Sequence, residues 1–146
     1  MALYSLPCQT EAAISAYITA NYSGSYNLNV GFGIEELVAP MILVVAGNFT
    51  QVEPGTDLYH GELGIMVQTQ IDDINASTVL STHDNTVATI YELFEDSGAV
   101  IAAVNGKSVF NLWSIWINKY DQSREGRLLV SSMLYDINCQ TLSIPA

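Results

Sequence analysis

Two histidines and a few neighbouring acids are the residues of this chain whose types could do chemistry. His83 precedes Asp84 within the stretch STHDNTVATIYELFED, which covers residues 81–96. On a helix, adjacent side chains diverge by about 100°, whereas a metal-binding or proton-relay pair needs a spacing of three or four residues. We therefore expect Asp84 to interact with a helix N-terminus and His83 to be an exposed residue of the cap region.

The other candidate positions have equally ordinary explanations. His60 follows Tyr59 with no neighbour at ligand spacing, so we expect a turn residue. Asp72 and Asp73 end an apolar run, and paired carboxylates can bind a hard cation or share a proton. Acidic strand ends are also common surface features, and the D-x-D-x-D-G pattern of a calcium loop is absent. A solvated surface is the expected role of this pair.

Motifs for catalysis or cofactor binding are missing from the sequence. It contains no nucleophile elbow, phosphate-binding loop, dinucleotide fingerprint or zinc spacing. The two cysteines, Cys8 and Cys139, lie near opposite ends of the chain, and two thiols make no disulfide framework. The sequence therefore predicts neither an enzyme nor a resident metal or cofactor.

Composition indicates a chain that buries part of its surface against other molecules. A length of 146 residues predicts a single domain spanning residues 1–146. Apolar residues make up 49% and mean hydropathy is +0.26, but charged residues reach only 13%, against roughly 25% in typical proteins. This balance favours an oligomer. With no basic leader and no apolar run near the roughly 20 residues of a membrane span, we expect a reducing cytoplasm or a particle assembled there.

The charge is unevenly distributed along the chain. The net charge is −11, and no Lys or Arg occurs before Lys107. Phosphate binding needs clustered Lys and Arg, so the chain should not bind nucleic acid. An acidic surface would still suit a passage through which DNA must slide without sticking.

Hydrophobic periodicity predicts six elements in the order α-β-β-α-β-β. The first three are a helix over 10–22 capped by Thr10, a doubly buried strand over 40–49 and an alternating strand over 62–73. A helix capped by Ser81 or Thr82 follows, which Gly98 bends or splits and which ends at Asn105-Gly106. The last two are the strands of a hairpin, 108–120 and 127–142, around the polar loop 121–126. This order predicts an α+β domain whose mostly antiparallel, four-stranded sheet carries its helices on one face.

Aromatic and acidic side chains of the last two-thirds are candidates for an interface. Glu92 and Glu95 would form an acidic helix face, solvated by default and otherwise a docking surface. Strict alternation places Trp113 and Trp116 on opposite faces of one strand. One of the two would then be core. The other would be an interface anchor, since Trp is enriched at hot spots, or part of a second buried face.

The predicted hairpin tip gathers Arg124, Glu125 and Arg127, and so holds half of the four basic residues of the chain. A solvated turn is the default expectation. A basic tip that met the acidic body of a neighbouring copy would instead make a heterologous contact, and such contacts can close into rings.

The order of these segments resembles the tail terminator, or tail completion, and related minor tail proteins of tailed bacteriophages. The resemblance rests on the helix AAISAYITANY, the strand PMILVVAGN, the acidic loop VEPGTDLYHG running into ELGIMVQTQIDD, the His-led helix HDNTVATIYELFED and the hairpin NLWSIWINKYDQSREGRLLVSSMLYDI. It implies an α+β subunit that forms a ring, commonly a hexamer, on the end of the tail tube. Such a ring stops polymerisation of the tube protein, faces the head connector and lets DNA pass.

Three other functions are consistent with the same sequence. A neck or head-completion protein of the same particle is the nearest alternative. A cytoplasmic domain that binds a small molecule or peptide belongs to a different class, and a small hydrolase is the third. A deep pocket around His83 would favour the last two.

Overall fold

The computed structural model describes residues 6–30, 40–54, 57–71, 76–105 and 110–141. These ranges form three helices and five strands. In chain order they are α1 (Leu6–Asn21), β1 (Asn27–Val30), β2 (Met41–Gln51), β3 (Leu58–Gln70), α2 (Ala76–Glu95), α3 (Ser97–Val104), β4 (Phe110–Glu125) and β5 (Leu128–Thr141).

The sheet has five strands and is mixed, which corrects the expectation of four antiparallel strands. Its order is β1-β2-β3-β5-β4; β1 runs parallel to β2, and the other three pairings are antiparallel. The additional strand β1 lies where the sequence predicts a break. Its four residues, NLNV, carry too little alternation to be read as a strand, and pairing of Asn27 with Met41 fixes them in the sheet. The α+β class is confirmed.

The two central strands agree with their sequence pattern. β2 and β3 form the predicted antiparallel pair. In β3, every second side chain from Leu63 to Thr69 is buried, as the alternation predicts. The first four residues of β2 are buried on both faces, but its distal half is partly exposed. There the register shifts between Gly47 and Thr50, and Asn48 takes a left-handed conformation with φ 56° that Asn tolerates better than most residues.

The hairpin of β4 and β5 is confirmed, but its loop is shorter than predicted. Strand pairing continues to Glu125 and Leu128, so residues 121–125 are strand rather than loop. Gly126 and Arg127 alone make the turn, and Gly126 has φ 59°. A two-residue hairpin turn that needs a left-handed first position favours glycine there.

Helix α1 begins at Leu6, so Thr10 is not its cap. Thr10 is buried in the second turn, where its hydroxyl donates to the Leu6 carbonyl at 2.9 Å. Glu11 is not a first-turn anion either: its carboxylate accepts the backbone N–H of Ala46 at 2.9 Å. Because pairing with β1 ends at Val44, this carboxylate satisfies a β2 donor just beyond the end of the neighbouring strand.

The core lies between the three described helices and one face of the sheet. Its buried members include Ile14 and Ile18 of α1, Ile90 and Phe94 of α2, Val100 and Val104 of α3, and Val44, Ile65, Leu112, Met133 and Ile137 of the sheet. The ring of Phe94 packs against Tyr17 on one side and Tyr135 on the other, with centroids 5.4 and 5.5 Å away. The Tyr17 hydroxyl also donates to the Leu93 carbonyl at 2.6 Å, which ties α1 to the end of α2.

The predicted second helix starts earlier and is divided in two. It begins at Ala76, five residues before the predicted cap at Ser81. The break predicted at Gly98 lies at Asp96, whose side chain accepts the Ala99 N–H at 3.2 Å and caps α3. As predicted, α3 ends at Asn105, whose side-chain amide exchanges two hydrogen bonds with the backbone of Leu112 in β4.

Candidate functional site

His83 lies inside the core, which overturns its prediction as an exposed cap residue. Because α2 begins at Ala76, position 83 falls more than one full turn further in than expected, on the face that packs against the sheet. Its side chain has 0% exposure. The neighbouring Asp84 is exposed and faces away, as the divergence of adjacent helical side chains requires.

A buried polar chain holds the His83 ring. Its Nδ1 lies 2.6 Å from the Thr69 hydroxyl and its Nε2 2.8 Å from the Ser131 hydroxyl. Thr69 continues the chain to the hydroxyl of Tyr26 at 2.6 Å. These contacts link α2 to β3, to β5 and to the segment that enters β1, so they fix the helix on the sheet in one register.

The hydrogen bonds around Ser131 assign the His83 tautomer. The Ser131 oxygen accepts from the Gln122 side-chain amide at 3.1 Å and from the Tyr120 hydroxyl at 3.5 Å, which leaves its own O–H to donate to Nε2. The proton of the neutral ring then lies on Nδ1 and points at Thr69. Burial lowers the pKa of His83, which agrees with a neutral ring.

This arrangement is a structural network rather than a catalytic one. Ser131 has 0% exposure, like His83, so neither side chain faces a space that a substrate could enter. The partners of the ring are Thr69 and Ser131, and a hydroxyl cannot stabilise an imidazolium as the carboxylate of a hydrolytic triad does. A nucleophile–base pair of this kind would need rearrangement of the core before it could act.

His60 lies in β3 and not in a turn, which corrects its prediction. Its side chain belongs to the outer face of the sheet, opposite the helices. Nδ1 is 3.1 Å from the Asn138 amide oxygen, and Nε2 is 3.5 Å from Asp136 Oδ1. The ring centroid lies 6.0 Å from that of Trp116. Polar side chains of β3 and β5 therefore surround one edge of an exposed indole.

Both tryptophans are exposed on the outer face, which corrects the expectation that one is core. A bulge between Leu112 and Ser114 inserts Trp113 as an extra residue in β4. The insertion shifts the alternation, so that Leu112 and Ile115 both face the core. Trp113 is 60% exposed and donates to Gln140 at 3.2 Å, and Trp116 is 45% exposed beside His60.

Further apolar side chains that the sequence analysis did not select are exposed on both faces of this margin of the sheet. Leu134 lies on the outer face, whereas Ile117 and Tyr120 pair with buried residues and lie on the helix side. Ile117, Tyr120 and Leu134 are all more than one-third exposed. We name the group Trp113, Trp116, Ile117, Tyr120 and Leu134 the aromatic edge, since β4 is the last strand of the sheet. Soluble proteins bury such side chains in interfaces far more often than they expose them together. The long apolar run in β4 was the sequence signal for an exposed apolar surface. The bulge prevented a correct prediction of which face each of its side chains takes.

Glu92 and Glu95 are exposed on α2, as predicted for an acidic helix face. They line an open groove of about 350 Å³ together with Asp84, Val87, Ala88 and Tyr91 of α2 and Tyr120 of β4. The groove thus has an apolar floor and an acidic rim. It meets the aromatic edge at Tyr120.

The remaining predicted site residues belong to the hairpin tip and to a strand end. Arg124 and Arg127 are exposed at the tip, and Arg124 Nε donates to the Gly126 carbonyl at 3.1 Å within the turn. Asp72 and Asp73, and the side chain of Glu125, lie outside the described residues. The structure therefore places the two tryptophans on one face of the sheet and the two arginines at the hairpin tip.

Cation binding, thiol chemistry and membrane insertion find no support in the described ranges. No three His, Cys, Asp or Glu side chains there come together as a metal site. Cys8 is exposed and Cys139 is buried, and burial raises the pKa of Cys139 to about 12. None of the described helices is long and apolar enough to cross a bilayer.

Comparison with known proteins assigns no family. No protein-family model and no curated protein matches the chain. A solved structure described as the virion of a native gene transfer agent (GTA) particle aligns with 92% of this chain and 95% of its own, at 10% sequence identity and a TM-score of 0.44. A similarity this weak identifies neither the family nor the function of the chain.

Proposed function

We propose that the protein is a structural subunit of a phage-like virion, a tail terminator or tail completion protein that assembles into a ring. In this proposal the ring, hexameric as the family resemblance implies, caps the tail tube and joins it to the head connector. The role is one of assembly and not of catalysis, and it needs no metal or cofactor.

The observation that carries the proposal is the aromatic edge. Two indoles, a phenol and two aliphatic side chains lie exposed on the two faces of the sheet margin that β4 forms. Interface hot spots are enriched in Trp and Tyr, and the core of an interface is depleted of charge. A chain with only 13% charged residues that also exposes these side chains has the surface of an assembly subunit.

The charge distribution supports a position at a DNA passage. With a net charge of −11 and only four Lys and Arg residues, the chain carries too few basic side chains to hold DNA. A ring whose inner surface is acidic would repel the backbone and let DNA slide through. The proposal therefore includes contact with DNA in transit but no specific binding.

Two alternatives have different consequences. A neck or head-completion protein of the same particle would use the same surfaces one step closer to the head. A domain that binds a small molecule or peptide would use the groove beside α2, but that groove is open, and the buried His83 does not line it. The third alternative, a small hydrolase, would need His83 or His60 in a substrate pocket. His83 is enclosed, and His60 faces an open strand surface.

Deletion of the gene from its virus tests the proposal directly. A terminator is required to stop tube growth, so the deletion should leave filled heads and unattached tail tubes of irregular, excessive length. Unattached tails of normal length would instead indicate the neck protein. Normal, infectious particles would contradict both virion functions and favour the binding domain. Expression of the protein from a plasmid should restore joined particles.

A further inference from the structure

The glutamates of the acidic groove beside α2 lie where their charges lower the stability of the isolated chain. Glu92 and Glu95 occupy the last turn of α2, where the helix dipole favours cations and opposes anions. They are also three residues apart, a spacing at which like charges repel. Among the described residues neither glutamate forms an ion pair, and residues 1–106 contain no Lys or Arg that could provide one.

The complementary charge lies on the β4–β5 hairpin. Three of the four basic residues of the chain, Lys119, Arg124 and Arg127, belong to it, and the two arginines are exposed at its tip. The tip lies well away from Glu92 and Glu95 of its own copy, although Tyr120 of the groove is only four residues from Arg124 along β4. Tyr135 packs against Phe94, level with the two glutamates, and eight residues of β5 separate it from Arg127, which is about 27 Å at roughly 3.4 Å per residue.

We infer that the groove receives the basic hairpin tip of a second copy of this chain. This inference rests on the proposed function in so far as it treats the chain as a self-assembling subunit. The tip brings guanidinium groups to the acidic rim, and the exposed rings of Tyr91 and Tyr120 offer faces on which a guanidinium can stack. Tip and groove are different surfaces, so the contact is heterologous and repeats from copy to copy until it closes into a ring.

Two opposite charge reversals test the contact. The tip variant carries Arg124→Glu and Arg127→Glu, and the groove variant carries Glu92→Lys and Glu95→Lys. A control variant with Glu53→Lys and Asp57→Lys in the β2–β3 loop changes the net charge as the groove variant does. Self-association of each is measured by sedimentation velocity over a range of concentrations and two salt concentrations, with circular dichroism and thermal melting as measures of folding.

The tip and groove variants should each associate about tenfold or more weakly than the wild type at low salt, whereas the control should associate normally. Both should fold, and the groove variant should melt at the same or a higher temperature because its new lysines suit the helix end. An equimolar mixture of the two should recover association, since each variant offers a groove that complements the tip of the other. Rings formed from the mixture should contain even numbers of copies.

Several results would overturn the inference. The tip variant could associate as strongly as the wild type, the control variant could lose association, or the mixture could associate no better than either variant alone. If the groove variant loses self-association while the tip variant keeps it, the groove binds a basic partner other than the hairpin tip, and the inference is wrong. A wild-type chain that stays monomeric at every concentration also rules out the contact, but the deletion phenotype decides separately whether the virion function stands. Normal wild-type rings with no effect of the tip variant would reject this contact and leave the proposed function intact.

Discussion

The imidazole Nε2 of His83 and the hydroxyl of Ser131 lie 2.8 Å apart in the core, although 48 positions separate them in the chain. With Thr69 on the other nitrogen, this contact satisfies both ring atoms of a histidine that has no access to water. It fixes α2 on strands β3 and β5, and α2 carries the acidic groove. One side of α2 therefore holds the buried network, and the adjoining side lines the acidic groove.

Removal of the Ser131 hydroxyl should destabilise the fold. Ser131→Ala leaves His83 Nε2 buried without its partner, which costs about 1–3 kcal/mol of unfolding free energy. The measurement is urea denaturation followed by circular dichroism. Ser132→Ala, next to it on the other face of β5, is the matched control and should change stability by less than about 0.5 kcal/mol. Equal stability of both variants would show that the network contributes little.

Acid should weaken the fold through His83. Burial lowers its folded-state pKa below the ordinary value of 6.5, so the unfolded chain gains a proton at a higher pH than the folded chain. Stability from this residue is constant above pH 6.5 and falls, by at most about 1.4 kcal/mol per pH unit, as the pH drops from 6.5 to the folded-state pKa. Carboxylates titrate over part of this range, so the informative quantity is the difference from His83→Gln.

A comparison with His83→Gln isolates the contribution of His83 to the loss of stability in acid. Denaturation of both chains between pH 7.5 and 5 should show the wild type losing more stability than the variant as the pH falls. Parallel losses would mean that His83 takes up its proton in the folded state as easily as in the unfolded state.

The two exposed tryptophans should matter for assembly and not for folding. Replacement of Trp113 and Trp116 by Ser removes apolar surface that the isolated chain leaves exposed, so the monomer should keep its melting temperature within a few degrees. Hot-spot tryptophans contribute about 2 kcal/mol or more, so each loss should weaken self-association roughly 30-fold. Sedimentation velocity measures the self-association of the wild type and of the tryptophan variant. Trp113→Phe, which keeps an aromatic ring, is the control. Unchanged association would remove the aromatic edge from the interface.

The two thiols should differ sharply in reactivity. Cys8 is exposed, whereas Cys139 is enclosed and burial raises its pKa to about 12, so at pH 8 it holds almost no thiolate. An excess of a thiol reagent should modify one equivalent rapidly in the native protein and two in denaturant. Rapid modification of both native thiols would show that the core around β5 opens readily.

Much of the fold could be predicted because its periodicity is strong and local. The alternation of β3 around Leu63 and Ile65, and the hairpin of β4 and β5, follow from side chains that recur every second residue. Strand β1 could not be predicted, since its four residues are placed by pairing with β2 and not by their own pattern. The α+β class was therefore predictable, whereas the mixed sheet was not.

The candidate site was less predictable, for two specific reasons. A single inserted residue, Trp113, shifts the alternation of β4, and no local signal marks the bulge that places both indoles on one face. His83 was misplaced because five helical residues precede the predicted cap at Ser81, and a shift of that length turns a cap position into a core position. Exposure of Glu92 and Glu95, by contrast, follows directly from the apolar stripe of α2.

The most direct measurement of the central claim is antibody labelling of phage-like particles purified from the source of the gene, viewed by negative-stain electron microscopy. A virion subunit of the proposed kind should carry label at the junction of head and tail and nowhere else. Label spread along the tail or over the capsid would contradict the terminator role. Purified particles that contain no trace of the protein would contradict the virion function altogether.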